Sequence, residues 1–234
     1  MSKTWQELLS LGGTYLDGKG VPDAPVAMEL LMARLLKCGR GFLSPHLAQV
    51  PEERLVAAMR RGMARLAAGE PIQYVLGEWD FRSLTLACDR RALIPRPETE
   101  ELVTRVLAFA KACGNERPFV VDVGTGSGCI ILSLAREMAD GIFLGIDISA
   151  DAIALATENA SRCGLADKVK FAVADGLDDF DEPQCVDVIV SNPPYVSSAA
   201  CDALRRLMSD YGFEDVRIEK DFSGLDRYAS AVLP

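Results

Sequence analysis

Histidine is almost missing from this chain: His46 is the only one. A two-histidine metal site is thereby excluded, and a Ser-His-Asp triad or a Cys-His dyad could form only around that one position. Any catalysis runs without an imidazole or with that single one. Disulfide and zinc frameworks are missing too. The seven cysteines (Cys38, Cys88, Cys113, Cys129, Cys163, Cys185 and Cys201) are odd in number and form no CxxC pair. They read as scattered reduced thiols that pack as small hydrophobes, and no metal is expected. No apolar run approaches the ~20 residues that cross a bilayer. The opening MSKTWQELLSLGG is amphipathic and carries an acidic residue, unlike a signal or transit peptide, so the expected compartment is the cytoplasm, with no membrane partner. Internal repeats and low-complexity tracts are absent as well.

What is present is an ordinary globular composition: 234 residues, 49% hydrophobic and 25% charged. That length allows one large domain, or one domain with a small appendage. The 25 Lys+Arg against 34 Asp+Glu give a net charge of −9, unevenly spread. Residues 1–90 hold 11 basic and 10 acidic groups, whereas residues 91–234 hold 14 and 24. So acidic a half is a poor surface for tracking a phosphate backbone, and no direct contact with nucleic acid is expected.

The first 75 residues or so read as helical. Trp5, Leu8, Leu9, Tyr15 and Leu16 recur at helical spacing, although Gly12-Gly13 weakens the middle. A second helix runs from Ala24 to Lys37 and stops at Gly39. A third runs from Pro51 to Ala68, with proline in its first turn and Gly69 past its end. His46, in a Ser-Pro-His loop, reads as structural or exposed. Residues 78–88 alternate like a short hairpin. Glu98 to Cys113 is again helical. From Pro118 the pattern becomes strand, helix, strand, helix: strands at 119–124, 141–148, 168–175 and 186–192, with helices at 127–138 and 150–163. Such runs predict an α/β fold with a parallel, doubly wound sheet.

The first strand ends in Asp122-Val-Gly124-Thr125-Gly126-Ser127-Gly128. Glycines there permit a tight turn and let a ligand lie against bare backbone at the carboxyl edge of the sheet. The spacing is GxGxG rather than the GxGxxG of dinucleotide sites, which favours a nucleoside without a pyrophosphate. Asp147 follows the second strand about 20 residues on, where a carboxylate can accept both ribose hydroxyls. Asp175, at the end of the third strand, is placed to approach an adenine amino group. Alone, Asp147 could be a neighbour of a helix cap. The set of three strand ends predicts S-adenosyl-L-methionine as cofactor. The fourth strand ends in Asn192-Pro193-Pro194-Tyr195, the most specific feature of the chain. Two prolines remove two backbone donors and fix the dihedrals. The Asn192 side-chain oxygen and the Pro193 carbonyl can then accept both protons of a planar –NH2 group, turning its lone pair towards a sulfonium methyl. Tyr195 supplies a flat wall. The plainer reading is an Asn-Pro turn after a buried strand.

These motifs resemble the HemK/PrmC family, the peptide chain release factor N5-glutamine methyltransferases. The resemblance rests on GEPIQYVLGEWDF (69–81), LIPRPETEELV (93–103), VDVGTGSG (121–128), GIDIS (145–149) and SNPPYVS (191–197), and the first two are the most specific. It extends over nearly the whole chain. It implies a small all-α substrate-recognition domain (1–76), a β-hairpin linker (77–97) and a Rossmann-like class I methyltransferase domain (98–234), whose mostly parallel sheet closes with a C-terminal antiparallel hairpin. It also implies methyl transfer to the glutamine of the Gly-Gly-Gln motif of release factors, with S-adenosyl-L-homocysteine as product, by a monomer. On this resemblance Gly124 to Gly128, Asp147 and Asn192 contact the cofactor, and Asn192 to Tyr195 hold the glutamine amide. Many relatives carry a bulky residue after the third-strand Asp, where this chain has Gly176. NPPY is shared with N6-adenine methyltransferases, and a sister family methylates a ribosomal-protein glutamine; Pro97-Glu98-Thr99-Glu100 favours the release-factor branch. Arg96 and Glu98 stand either near the cofactor or in a linker stiffened by prolines. Arg54, Arg61 and Arg65 share one helix face, to meet an acidic partner or ribosomal RNA or simply to be solvated.

One departure from the family pattern stands out. Only 17 residues separate Tyr195 from the strand-like FEDVRIEKD (213–221), where the family has a helix, a fifth strand and a further helix. Against that pattern a segment is expected to be absent, with the join near 197–208, which would leave a gap beside the fourth strand. A break in the chain is expected there, with a carbonyl-to-nitrogen distance far above the ~1.33 Å of a peptide bond. A continuous chain would instead favour a truncated methyltransferase that binds without turnover.

Overall fold

The computed structural model describes residues 3–112, 114–176, 186–192, 209, 214–220 and 226–232. Pro193, Pro194, Tyr195 and the 197–208 window lie outside the described residues. The chain divides into two compact units, Met1–Trp79 with Cys88–Arg90, and Asp80–Ala87 with Arg91–Pro234.

The first unit is helical. Helix α1 (Trp5–Asp17) opens with a reciprocal cap: the Glu7 N–H donates to the Thr4 hydroxyl, and the Thr4 N–H donates to the Glu7 carboxylate at 2.8 Å. The helix runs unbroken through Gly12-Gly13, contrary to the weakening expected from propensity. Both glycines are buried, and a Cβ on Gly12 would stand 2.3 Å from Met28 Cε of helix α2 (Ala24–Leu36). Packing against α2 therefore outweighs a propensity cost of about 1 kcal/mol per glycine. Helix α3 (Glu53–Ala67) begins two residues after Pro51, so that proline precedes the helix and Glu52, in extended conformation, takes the cap position. A five-residue helix α4 (Ile72–Leu76) was not expected. Arg65 explains it: its guanidinium pairs with Glu70 at 2.6 Å and donates to the carbonyls of Tyr74 and Val75 at the end of α4. Arg65 is thus a helix cap, while Arg54 pairs with Glu52 on the surface. His46 closes a 3-10 turn (Ser44–His46) and meets Gln49 at 3.3 Å. Trp5, Leu16, Met28, Met32 and Met59 form the centre of this unit, and Trp79 belongs to it as well.

Strands β1 (Glu78–Phe81) and β2 (Leu84–Ala87) pair as a hairpin where the chain passes from one unit to the other. Arg82, in its turn, takes a left-handed φ of 51°. The Arg82 side chain grips Glu137 in a fork of 2.6 and 2.7 Å and reaches the Glu100 carbonyl and the Thr104 hydroxyl, both at 2.8 Å.

The second unit carries the predicted parallel sheet: β3 (Phe119–Val123), β4 (Ile142–Asp147), β5 (Val169–Val173) and β6 (Val188–Ser191), in the order β5-β4-β3-β6. Helices α5 (Pro97–Ala112), α6 (Cys129–Glu137) and α7 (Ala150–Arg162) accompany it. Val120, Ile131, Leu134 and Phe143 are buried at its core. The register pairs Val123 with Ser191 and with Ile146, and Asp147 with Val173, so all four strands end on one edge. The expected closing hairpin is present as β7 (Glu214–Lys220) antiparallel to β8 (Asp226–Val232). Arg105 of α5 meets it through Glu219 at 2.8 Å.

Candidate active site

The carboxyl edge of the sheet gathers the residues singled out by their motifs. Gly124, Gly126 and Gly128 occupy left-handed φ values of 72°, 56° and 79°, as the turn from β3 into α6 requires. A Cβ on Gly124 would meet nothing within 4 Å, so the bare backbone there faces open space. Two backbone N–H groups of the turn, from Gly124 and Thr125, donate to the Ile146 carbonyl at 2.9 Å, fastening the turn to β4.

Asp147 completes this fastening. One carboxylate oxygen accepts the Gly126 N–H and the other the Ser149 N–H, each at 2.9 Å. The side chain is half-buried, and each oxygen keeps a lone pair free for a hydroxyl. Asp175 stands exposed two residues past β5. Asn192 follows β6 directly, is exposed, and its Nδ2 donates to the Thr99 hydroxyl of α5 at 3.0 Å. Ser191 beside it donates to the Val123 carbonyl at 2.8 Å. Gly124 to Gly128, Asp147, Asp175 and Asn192 thus lie at four neighbouring strand ends. Thr125 and Ser127 are buried and face inward rather than presenting their side chains to solvent. Arg96 is exposed and Glu98 half-buried at the start of α5.

Three residues of this edge carry roles that their motifs did not announce. Asp122 is fully buried beneath the turn; its Oδ2 accepts the Thr125 hydroxyl at 2.7 Å, and its Oδ1 has no hydrogen-bond partner. Burial pushes its carboxyl up to about 7, partly offset by the Thr125 hydroxyl. Asn159 of α7, also fully buried, exchanges two hydrogen bonds with the Ala87 backbone and donates to the Ser127 carbonyl at 2.9 Å. Its signal was a polar residue in the apolar stripe Ala152, Leu155, Ala156, Ala160. Gly145, the register partner of Asp122, leaves room for the Thr125 hydroxyl, which would stand 2.8 Å from a Cβ there. Cys129, next after the turn, is no nucleophile: burial pushes its thiol up to about 12, with the Asp122 charge adding to the rise. Among the described residues no group of metal-ligating side chains is assembled.

An edge with exposed backbone at Gly124 and a half-free carboxylate on the next strand suits the ribose of a nucleoside. S-adenosyl-L-methionine offers such a ribose, so the residues fit that group.

Comparison with known proteins agrees. Residues 7–77 match the model of the PrmC N-terminal domain, and residues 117–219 match that of a methyltransferase domain. A release factor glutamine methyltransferase from Koribacter versatilis is 37% identical over 201 residues, covering 84% of this chain and 69% of that one. One from Nitratidesulfovibrio vulgaris is 33% identical over 98% of this chain and 76% of its own. A third, from Geobacter sulfurreducens, is 34% identical over 96% of this chain and 76% of its own. From its helical unit to its parallel-sheet unit, the chain belongs to the release factor glutamine methyltransferase family.

Proposed function

We propose that this protein transfers a methyl group from S-adenosyl-L-methionine to the side-chain amide nitrogen (N5) of the glutamine in the Gly-Gly-Gln motif of peptide chain release factors, releasing S-adenosyl-L-homocysteine. The observation that carries the reading is the position of Asn192, on the same sheet edge as the Gly124–Gly128 turn and Asp147.

In this reading the turn backbone, Asp147 and Asp175 hold the cofactor, and Asn192 borders both cofactor and substrate. When bound, the cofactor supplies a methyl on a sulfonium whose leaving thioether is neutral, so no general acid is required. That requirement suits a site with no imidazole. Asn192 Oδ1 accepts one amide proton of the glutamine and the Pro193 carbonyl the other, while Pro194 stiffens the motif and Tyr195 walls the planar group. Holding both protons withdraws the nitrogen lone pair from the amide resonance. The spare proton leaves to water; Cys129, a buried thiol, and Asp122, sealed from solvent, are not placed to take it. Residues 1–76 serve as the substrate-recognition domain, 77–97 as the linker and 98–234 as the transferase domain. The protein works as a cytoplasmic monomer without direct contact to nucleic acid or membrane; no helix among the described residues is long and apolar enough to cross a bilayer.

The test is the mass of the Gly-Gly-Gln peptide of a release factor after incubation with cofactor and protein. One added methyl on the glutamine is expected, slowed by roughly 10²-fold or more in Asn192→Ala. A release factor left unmodified by protein that still binds S-adenosyl-L-homocysteine would overturn the reading.

A further inference from the structure

We infer that Thr99 is the positioning residue for Asn192. The inference rests on the reading that Asn192 holds the substrate amide. An asparagine amide serves that role only if its oxygen faces the substrate; turned over, it would present two donors to a group that also offers donors. Asn192 is exposed and follows the last residue of β6, so its own strand does little to hold the side chain. The restraint comes from across the site. Its Nδ2 donates to the Thr99 hydroxyl at 3.0 Å, which occupies the nitrogen end and leaves both lone pairs of Oδ1 free.

Thr99 is well suited to hold something still. It is 5% exposed and β-branched, hence stiff about χ1, and it lies in the first turn of α5. That turn is tied down in its turn: the neighbouring Glu100 accepts the Arg82 N–H through its carboxylate at 3.1 Å and the Arg82 guanidinium through its carbonyl. A buried hydroxyl on an anchored helix end therefore orients an exposed amide on a strand end, which is how a reactive constellation is preorganised. This gives the Pro97-Glu98-Thr99-Glu100 segment a task in the reaction besides its place between the hairpin and α5.

The experiment compares Thr99→Val, which keeps the shape and removes the hydroxyl, with Thr99→Ser, which restores it. Thr99→Val is expected to lower kcat on a release factor about 10- to 100-fold with a much smaller change in the affinity for S-adenosyl-L-homocysteine, and Thr99→Ser to recover most of the rate. A second readout needs no turnover. In ¹H–¹⁵N spectra with S-adenosyl-L-homocysteine bound, the side-chain NH2 pair that vanishes in Asn192→Ala should move in Thr99→Val and return in Thr99→Ser. Thr99→Ala carries the same expectation should Thr99→Val fail to fold. Wild-type kcat in Thr99→Val, or an NH2 pair that does not move, overturns the inference. If the wild-type protein methylates no release factor, the substrate reading falls, and the NH2 pair alone still judges the Thr99 contact.

Discussion

Asp122 shows how one buried side chain sets a pH dependence. Its carboxyl is raised from 3.8 to about 7, chiefly by burial. Between those values the folded protein holds a proton that the unfolded chain has released, so this residue makes stability fall as pH rises from about 4 to about 7, and level off above. Across that window the change amounts to at most ~4 kcal/mol. Urea unfolding of the wild type and of Asp122→Asn at pH 5 and pH 8 should show the wild type losing ground to the variant at the higher pH. A difference between the two proteins that stays constant with pH would contradict the raised carboxyl. At this scale the sequence was only partly legible. Asp147 and Asn192 could be named because each sits at a strand end within a recognisable motif. Asp122 and Thr99 lie inside quoted motifs too, but what they do depends on which distant atoms fold over them: Thr125 and the core for one, Asn192 for the other.

Elements were more legible than residues, because a long periodic segment repeats its message. The four sheet strands and helices α5 to α7 follow from runs of β-branched residues alternating with amphipathic stretches. What escaped was short or non-local. Helix α4 has five residues, too few for a period, and depends on Arg65 from another helix. The continuity of α1 through two glycines depends on Met28, a side chain of the next helix. Asn159 works at the element scale as well, because it ties α7 to both the end of β2 and the glycine turn. Replacing it with leucine keeps the volume and strips partners from three buried backbone groups, so Asn159→Leu should lose ~3 kcal/mol of stability. It should also weaken S-adenosyl-L-homocysteine binding, since the Ser127 carbonyl loses its restraint. Denaturant titration and calorimetry check the two losses separately.

At the scale of the whole molecule, charge is unevenly spread. Residues 91–234, with 24 acidic and 14 basic side chains, carry a net negative charge that on average repels a phosphate backbone. A labelled single-stranded RNA should therefore migrate freely in a mobility-shift assay at low salt with micromolar protein, and adenine in that RNA should gain no methyl. Retarded RNA would reopen the adenine reading that NPPY by itself allows. Each unit has a buried cluster of its own, Trp5 to Leu66 in the first and Phe81 to Val190 in the second. The chain has two tryptophans, Trp5 and Trp79, and both belong to the first unit. Indole emission is therefore a native optical label for that unit alone, whereas the candidate site lies in the other. A change of emission on adding S-adenosyl-L-homocysteine would report, without any dye, that occupancy of the site is felt at one of those two indoles.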